Sequence, residues 1–286
     1  MMRTRFLWLT AIVLLPILAG AQTPPLVVLS SNATRAALQE LAPRIESAAG
    51  RPVEFRFANS ADLKTRIEKG EVFDAAILTQ TLIDELAASG KLVAGSRVAV
   101  AKAGVGVAVK KDAPVPDVST PAALKQAIER AKSITYVGQG ATAPILKKMF
   151  ADFGLTDVVN AKTRLVLNAG DAVAAGEAEL GFTQISEILN IPGATLAGPL
   201  PPSLQVYTAF GAAVSASARD AAAAASIIRV LTSQAAAAVI TAKGMQPAAS
   251  QDRLPPISAA QMTDAQKKAA EEFKVIRNGA EVSGPF

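Results

Sequence analysis

The chain of 286 residues carries 29 basic and 24 acidic side chains, a formal net charge of +5, and it contains neither histidine nor cysteine. Those two residue types supply most transition-metal ligands, thiol nucleophiles and neutral-pH general bases, so a zinc site, a catalytic cysteine and a Ser/His/Asp triad are excluded, and we expect no metal and no cofactor. The small positive excess and an aromatic content of 5% also argue against nucleic acid as a partner.

The first 21 residues have the composition of a secretory signal peptide. Arg3 and Arg5 precede an apolar run over residues 6–18, and Ala19, Gly20 and Ala21 supply the small residues typical of a cleavage site. The apolar run is too short to cross a bilayer comfortably. We therefore predict that residues 1–21 are removed on secretion, with a retained membrane anchor as the alternative.

Three strand–turn–helix units follow. In each unit a short apolar run of the kind found in buried strands leads through a small polar turn into residues with helical spacing. The predicted strands are residues 25–30, 52–57 and 73–78, and the predicted helices are residues 34–49, 61–68 and 81–88. Consecutive units of this kind imply a parallel sheet with right-handed crossovers, and therefore an α/β protein.

A long alternating β-type segment over residues 97–110 interrupts this pattern, and we interpret it as the first crossing between two lobes. The strand–turn–helix unit then recurs. The predicted strands are residues 134–137, 164–167 and 180–183, and the predicted helices are residues 121–132, 144–153, 171–175 and 184–189. The second lobe is thus expected to repeat the architecture of the first.

The remaining segments return the chain to the first lobe. Residues 192–202 are predicted as a loop, residues 204–214 as the return crossing, residues 220–242 as one alanine-rich helix and residues 263–277 as a polar helix in the tail. We therefore predict a signal peptide over residues 1–21, a first lobe formed by residues 22–102 and 208–286, and a second lobe formed by residues 103–207.

Small polar residues cluster at the turns after the predicted strands. Ligands of open parallel sheets bind beyond the carboxyl ends of the strands, so these turns should face a common site. A helix N-terminus offers unpaired N–H groups and the positive end of a dipole, and can hold an anion without lysine or arginine. The alternative is that these residues only cap helices. The candidate ligand-binding residues in the turns are Ser30, Ser31, Asn32, Asn59, Ser60, Gly140, Ala141, Thr142 and Asn168.

Three segments are similar to segments of the periplasmic molybdate-binding proteins and their relatives among the two-lobed solute-binding proteins of ABC transporters. They read VLSSNATRAALQELAP, VEFRFANSADLKTRIEKGEVFDAAILT and GEAELGFTQISEIL. This resemblance, which covers nearly the whole mature chain, implies the type 2 periplasmic binding protein fold, in which two Rossmann-like lobes are joined by two crossing strands. It also implies a periplasmic location, a small anionic ligand, an ABC permease as partner and a monomeric state.

The resemblance assigns roles to particular residues. In that family a serine hydroxyl of the second ligand loop binds the oxyanion, and Ser60 in FANSADL takes that place. Ala33 stands where the family has its first ligand serine, and Gln184 stands where it has a tyrosine, so Gln184 joins the candidate ligand residues as a neutral donor. These differences leave the ligand open between a molybdate-like oxyanion and an organic acid.

The pattern GxAELGxxQxSEIL, followed by a PG loop, resembles a subgroup that includes aconitate isomerase. This resemblance implies an alternative function, the interconversion of cis- and trans-aconitate by a proton shift next to a carboxylate. Glu187 and Lys64 are the candidate bases, although a glutamate at a helix start also complements the dipole and Lys64 is expected to face solvent. Arg35, Lys64 and Lys147 lie close enough to the loops to pair with a tricarboxylate.

Overall fold

The computed structural model describes residues 24–248 and 263–264, so the predicted signal peptide and the predicted tail helix lie outside the described residues, apart from Thr263 and Asp264. The strands are β1 (Leu26–Ser31), β2 (Val53–Ala58), β3 (Ala75–Thr79), β4 (Val98–Lys110), β5 (Ile134–Tyr136), β6 (Thr163–Leu165), β7 (Leu180–Gln184), β8 (Ala194–Pro199), β9 (Tyr207–Val214) and β10 (Gln246–Pro247). The helices are α1 (Arg35–Ala49), α2 (Ser60–Glu68), α3 (Gln80–Ala88), α4 (Pro121–Arg130), α5 (Ala143–Asp152), α6 (Thr156–Lys162), α7 (Ala169–Ala175), α8 (Ile185–Ile188), α9 (Ala221–Leu231) and α10 (Gln234–Ala242).

The first lobe is built on a sheet with the strand order β2-β1-β3-β9-β4. β1 pairs in parallel with β2 and β3, which confirms the predicted parallel units, whereas β9 runs antiparallel to β3 and to the first part of β4. Leu26 and Val28 pack into the cluster formed with α1 and α9, and Val27 and Leu29 pack into the cluster formed with α2 and α3. Successive side chains of a strand point to opposite faces, so β1 is apolar throughout residues 26–29 because helices cover both faces of its sheet.

The second lobe repeats this arrangement with the strand order β4-β7-β5-β6. β5 pairs in parallel with β6 and β7, while β7 and β8 both run antiparallel to the second part of β4. Its core contains Phe182, which is fully buried and lies edge-on to Phe150 with ring centroids 5.7 Å apart. The carboxyl ends of β1 and β7, at Ser31 and Gln184, border one cavity between the two lobes.

β4 joins the lobes by changing its partner midway. Residues up to Gly104 pair with β9, and residues from Val105 pair with β7 and β8. The second connection, over residues 200–206, lies beside it and is tied to it by Gln205. The Val105 N–H donates to Gln205 Oε1 at 2.9 Å, and Gln205 Nε2 donates to the Val105 carbonyl at 2.9 Å. The predicted lobe bounds stay a prediction, and the partner change falls close to the predicted boundary at residue 102.

Three short elements differ from the sequence prediction. Residues 192–202, predicted as a loop, contain β8, a strand with little β-forming character that forms because β4 offers it an unpaired edge. The helix α6 was not predicted at all. The return crossing, predicted as a strand over residues 204–214, is made by residues 200–206, because β9 begins only at Tyr207 and pairs wholly within the first lobe.

The helix predicted over residues 220–242 is two helices. Ser233 caps α10, since the Ala236 N–H donates to its hydroxyl at 3.2 Å, and the Thr232 hydroxyl donates back to the Ile228 carbonyl at 3.3 Å. These hydroxyl groups compete with the backbone for hydrogen bonds and so favour a helix end here. The break is not visible in the sequence, because alanine-rich segments that favour a helix lie on both sides of it. Within the described residues no single helix is long and apolar enough to cross a bilayer, and only α9 and α10 taken together, bent by 63°, have that length and composition.

Candidate functional site

A small cavity of about 40 Å³ lies between the lobes, at the carboxyl ends of β1 and β7. One water needs roughly 10–15 Å³ of such space, so the cavity holds a few waters or one small polyatomic group. Its lining residues are Ser31, Asn32, Ala33, Asn59, Ser60 and Phe210 from the first lobe and Val137, Gly140, Ala141, Thr142, Leu167, Asn168, Thr183, Gln184 and Glu187 from the second. A larger cavity of about 570 Å³ lies beneath α4 at the opposite end of the second sheet, and no predicted site residue lines it.

The structure brings nine of the ten predicted ligand residues to this cavity, together with Glu187. Ser30 is the exception, because its fully buried side chain points away and its hydroxyl lies 2.6 Å from that of Thr34. Lys64 is not in the lining either. Its ammonium group is held 3.2 Å from the carboxylates of both Glu68 and Glu85. Convergence of turns from two lobes on one gap is therefore seen in the structure, while ligand binding by these residues remains a proposal.

Besides Ala33, which the resemblance placed at a ligand position, four lining residues were not predicted: Val137, Leu167, Thr183 and Phe210. Thr183 is the chemically important one, because its hydroxyl donates a hydrogen bond to the Glu187 carboxylate. The sequence feature that could have identified Thr183 is its position at the end of a predicted strand, immediately before the candidate ligand residue Gln184. The other three are apolar wall residues, and nothing in the sequence separates them from the rest of the core.

Two of the predicted ligand residues are ordinary helix caps. Asn59 Oδ1 accepts a hydrogen bond from the Asp62 N–H at 2.9 Å, and Asn168 Oδ1 accepts from the N–H groups of Gly170 at 3.0 Å and Asp171 at 3.2 Å. The Asn59 amide nitrogen also donates to the Asp62 carboxylate. Local hydrogen bonds thus occupy both groups of the Asn59 side chain and the carbonyl oxygen of Asn168.

Three other residues occupy N-cap positions without making a cap hydrogen bond through their side chains: Ser31, Thr142 and Gln184. They are only 6%, 4% and 4% exposed, respectively, and all line the cavity. Gln184 Oε1 has no hydrogen-bond partner anywhere in the described part of the chain. An unpaired buried polar group costs about 1–3 kcal/mol, so the Gln184 amide is suited to bonding with a molecule in the cavity. The side chains of Ser31 and Thr142 line the same space.

Ser60 has a hydroxyl proton available for the cavity. Its oxygen accepts a hydrogen bond from the Thr79 N–H at 3.2 Å, which fixes the side chain from the first lobe. A hydroxyl group can accept and donate at the same time, so Ser60 can still donate to a bound acceptor. The first lobe thus contributes the hydroxyls of Ser31 and Ser60, and the second lobe contributes Thr142 and Gln184.

Glu187 is the one lining side chain with an ionisable group. Burial raises the pKa of Glu187, opposed by the hydrogen bond from Thr183 and the positive charge of Arg35 and reinforced by the negative charge of Asp171. Arg35 itself lies at the rim, where its guanidinium group donates to Asn32 Oδ1 at 2.8 Å and stacks 4.3 Å from the centre of the Phe57 ring. The cavity wall therefore combines neutral donors with a carboxyl group that is neutral over a wider pH range than usual.

Among the described residues there is no group of three or more acidic side chains placed to hold a metal ion.

The fold is that of the two-lobed periplasmic binding proteins. It is similar to the periplasmic molybdate-binding protein of Azotobacter vinelandii, with 20% identity, a TM-score of 0.66 and coverage of 77% of this chain and 98% of that one. It is also similar to the sulfate-binding protein of Mycobacterium tuberculosis H37Rv, with 14% identity, a TM-score of 0.66 and coverage of 89% and 91%. At these identities the likeness shows the fold alone.

The family follows from sequence comparisons. The family model for bacterial extracellular solute-binding proteins matches residues 26–246, and an aconitate isomerase from Pseudomonas sp. is 31% identical over 243 residues, which are 82% of this chain and 93% of that protein. The chain belongs to the family of bacterial extracellular solute-binding proteins. The resemblance drawn from VLSSNATRAALQELAP and GEAELGFTQISEIL is thereby confirmed for both the family and the subgroup.

Proposed function

We propose that this protein captures a small anionic solute in the cavity between its lobes and delivers it to an ABC permease. The observation that carries the proposal is the set of buried donors from both lobes, Ser31, Ser60, Thr142 and Gln184, around one cavity that no lysine or arginine lines. Neutral donors of this kind can replace the water shell of an anion without a charged partner.

Helix ends add to this preference for negative charge. Ser60 is the first residue of α2 and Thr142 is the N-cap residue of α5, so the positive ends of two helix dipoles lie at the cavity, one from each lobe. The volume of about 40 Å³ fits one oxyanion or one carboxylate group. A larger organic acid would bind with the lobes further apart, hinged at β4 and residues 200–206.

The cellular location, the oligomeric state and the partner of this protein are also part of the proposal. A cleaved signal peptide over residues 1–21 would place the mature, monomeric protein in the periplasm, where the permease would receive it. The two lobes would span residues 22–102 with 208–286, and residues 103–207.

The test is a thermal-shift panel of molybdate, tungstate, sulfate, phosphate, citrate, cis-aconitate and trans-aconitate. A ligand that binds only the folded state stabilises it by about 2.7 kcal/mol at 100 times its Kd, so at least one anion should raise the Tm. A hydrogen bond to a charged group contributes about 1.5–3 kcal/mol, so Thr142→Val should weaken that anion about tenfold or more.

Thr120→Val is the matched control. Thr120 caps α4 in the same lobe, accepting from the Ala123 N–H at 3.1 Å, and it does not line the cavity. This variant should lower the Tm of the free protein and keep the increment produced by the anion. No shift with any anion, or equal Kd values for Thr142→Val and the wild type, would contradict the proposal.

A second function, aconitate isomerisation, is favoured by the 31% identical relative and by a carboxyl group with a raised pKa in the cavity wall. The Glu187 carboxylate would remove a proton from the methylene carbon of aconitate and return it to the former vinylic carbon. The double bond would move by one position, with no change in oxidation state and no loss of atoms. Donors from Ser60, Thr142 and Gln184 would stabilise the charge that spreads onto the substrate carboxylates.

Ultraviolet absorbance of cis- and trans-aconitate tests this second function. Interconversion by the wild-type protein that Glu187→Gln abolishes, with binding retained, would support it. Binding of aconitate without any interconversion would contradict isomerisation and leave solute capture as the proposed function.

A further inference from the structure

An anion in this cavity meets a carboxyl group. Glu187 lines the same small space as Ser60, Thr142 and Gln184, so an ionised Glu187 would repel the solute that these donors attract. We propose that the site takes up one proton on Glu187 with each anion that it binds, and that the protonated carboxyl group is itself a hydrogen-bond donor to the anion. This inference rests on the proposed function, and it names the residue that makes anion capture depend on pH.

Glu187 is held in the wall of the cavity from two sides. The Thr183 hydroxyl donates to Glu187 Oε2, which leaves Oε1 as the atom available to carry a proton toward the solute. On its other side α8 is pressed against the first lobe, since a Cβ added at Gly244 would lie 2.7 Å from Leu189 Cδ1 and 3.4 Å from the Cα of Ser186. The Glu187 residue is partly exposed, and its carboxyl group lines the cavity between these two contacts.

The charged groups around Glu187 relieve this repulsion only in part, since the positive charge of Arg35 lowers the pKa of Glu187 while Asp171 raises it. Lys243, next to Gly244, is paired with Glu40 at 2.8 Å. Arg35 on α1 is held at the rim by Asn32 and Phe57, and Asp171 on α7 adds a further negative charge. The charged residues of β4 point elsewhere, with the Lys102 ammonium 5.0 Å from the Tyr207 ring centre and Lys110 beside Gly176. β7, β8 and the turn over residues 32–34 carry no charged residue. Protonation of Glu187 therefore removes the negative charge that the lining residues would otherwise present to the anion.

Because proton uptake and anion binding are thermodynamically linked, the proposal predicts how the Kd of the anion changes with pH. If the anion binds only when Glu187 is protonated, the apparent Kd rises tenfold for each pH unit above the pKa of Glu187 in the free protein. Burial raises that pKa, so the rise begins at a higher pH than for an ordinary glutamate.

The experiment is isothermal titration calorimetry with molybdate, sulfate and trans-aconitate from about pH 5.5 to about pH 9, in pairs of buffers with different ionisation enthalpies. Phosphate and citrate are left out because they titrate in this range themselves. For the anion that binds, we expect the Kd to approach a tenfold rise per pH unit on the alkaline side, and proton uptake to approach one per anion.

Glu187→Gln is the decisive variant, because its amide group mimics the protonated carboxyl group. It should bind with a Kd that is independent of pH, take up no proton, and bind about tenfold or more tightly than the wild type at the alkaline end. Glu177→Gln, a change at an exposed glutamate beyond α7, should retain the wild-type slope. If Glu187→Gln fails to fold, Thr183→Val serves instead, since loss of the donor to the carboxylate should move the rise to higher pH.

The outcomes separate the two proposals. A wild-type Kd that stays constant over this range, or a Glu187→Gln variant with the wild-type slope, overturns proton-coupled binding and leaves anion capture standing. Absence of binding by molybdate, sulfate and trans-aconitate, together with no shift in the thermal panel, overturns the proposed function and this inference with it.

Discussion

Replacement of Asp74 by alanine should destabilise the first lobe strongly, because this carboxylate joins three parts of its sheet. Asp74 is fully buried and accepts hydrogen bonds from the Val27 N–H at 2.8 Å, the Arg219 N–H at 3.0 Å and Arg219 Nη2 at 2.9 Å. These groups belong to the start of β1, the residue before β3, and the segment that follows β9. Removal of the carboxylate leaves two backbone donors without an acceptor, while Arg219 Nη2 keeps its hydrogen bond to the Pro25 carbonyl at 2.8 Å.

The magnitude follows from what is left unpaired. Breaking a buried ion pair by removal of one partner costs about 3–5 kcal/mol, and each stranded backbone donor costs about 1–3 kcal/mol. Because the Arg219 side chain is 43% exposed, water replaces part of the loss, and we expect Asp74→Ala to lower the free energy of unfolding by about 3 kcal/mol. Asp74→Asn retains one carbonyl acceptor and should lose about 2 kcal/mol.

Urea denaturation followed by circular dichroism measures both changes, with Asp84→Asn as the control. Asp84 pairs with Arg97 at 2.6 Å, but the two side chains are 48% and 42% exposed, so its loss should stay below about 1 kcal/mol. A free energy of unfolding for Asp74→Ala within about 1 kcal/mol of the wild type would refute the reasoning.

The same carboxylate predicts a pH dependence. Burial alone would raise the pKa of Asp74, but the hydrogen bonds from Arg219 and Val27 outweigh it and hold the pKa below its ordinary value. A pKa depressed by folding contributes stability above the unfolded pKa of about 3.9, and that stability is lost as the pH falls through the folded value. The difference between the wild type and Asp74→Asn should therefore be constant near neutral pH and shrink below about pH 4.

Three further predictions concern the cleft and its hinge. Arg35→Ala should weaken trans-aconitate about fivefold or more in calorimetry and leave sulfate within about twofold, because the guanidinium group lies at the rim rather than in the wall; equal losses would contradict this placement. Gln205→Ala removes two hydrogen bonds between the lobe connections, so it should cost about 1–2 kcal/mol of stability and accelerate anion release in stopped-flow experiments. Gly244→Ala should weaken anion binding modestly, because the new Cβ would lie 3.2 Å from Ile185 Cγ2, which is fixed close to the α8 backbone, whereas the Leu189 side chain 2.7 Å away is exposed and can shift; Gly50→Ala, with a similar positive φ and nothing within 4 Å, should leave binding unchanged.

The fold could be predicted where burial and pairing are local. β1 and the α1 face over residues 37–45 are read directly from the apolar pattern, because both lie within one strand–helix unit. β8 could not be predicted in the same way, since it forms on the edge of β4, which is far away in the sequence. The break after Leu231 was likewise invisible, because alanine favours a helix on both sides of it.

The position of the site could be predicted, but not the role of each residue in it. Asn59 and Thr142 both precede a helix and have the residue types that cap helices. Asn59 has extended backbone angles, with φ −68° and ψ 152°, and caps α2, whereas Thr142 has helical angles, with φ −81° and ψ −21°, and does not cap α5. That difference frees the Thr142 hydroxyl for the cavity. The raised pKa of Glu187 depends on burial between the two lobes, which no local pattern reveals.

The partner change in β4 places the site beside the pivot of any domain rotation. Val105 is in register with Gln184, and Gly106 is in register with Thr183, so the floor of the cavity is bonded to the strand at the point where the lobes join. Displacement in a rotation grows with distance from its axis. Opening would therefore widen the outer rim while Thr183 and Gln184 barely move, so that an arriving solute would find the floor of its pocket already assembled.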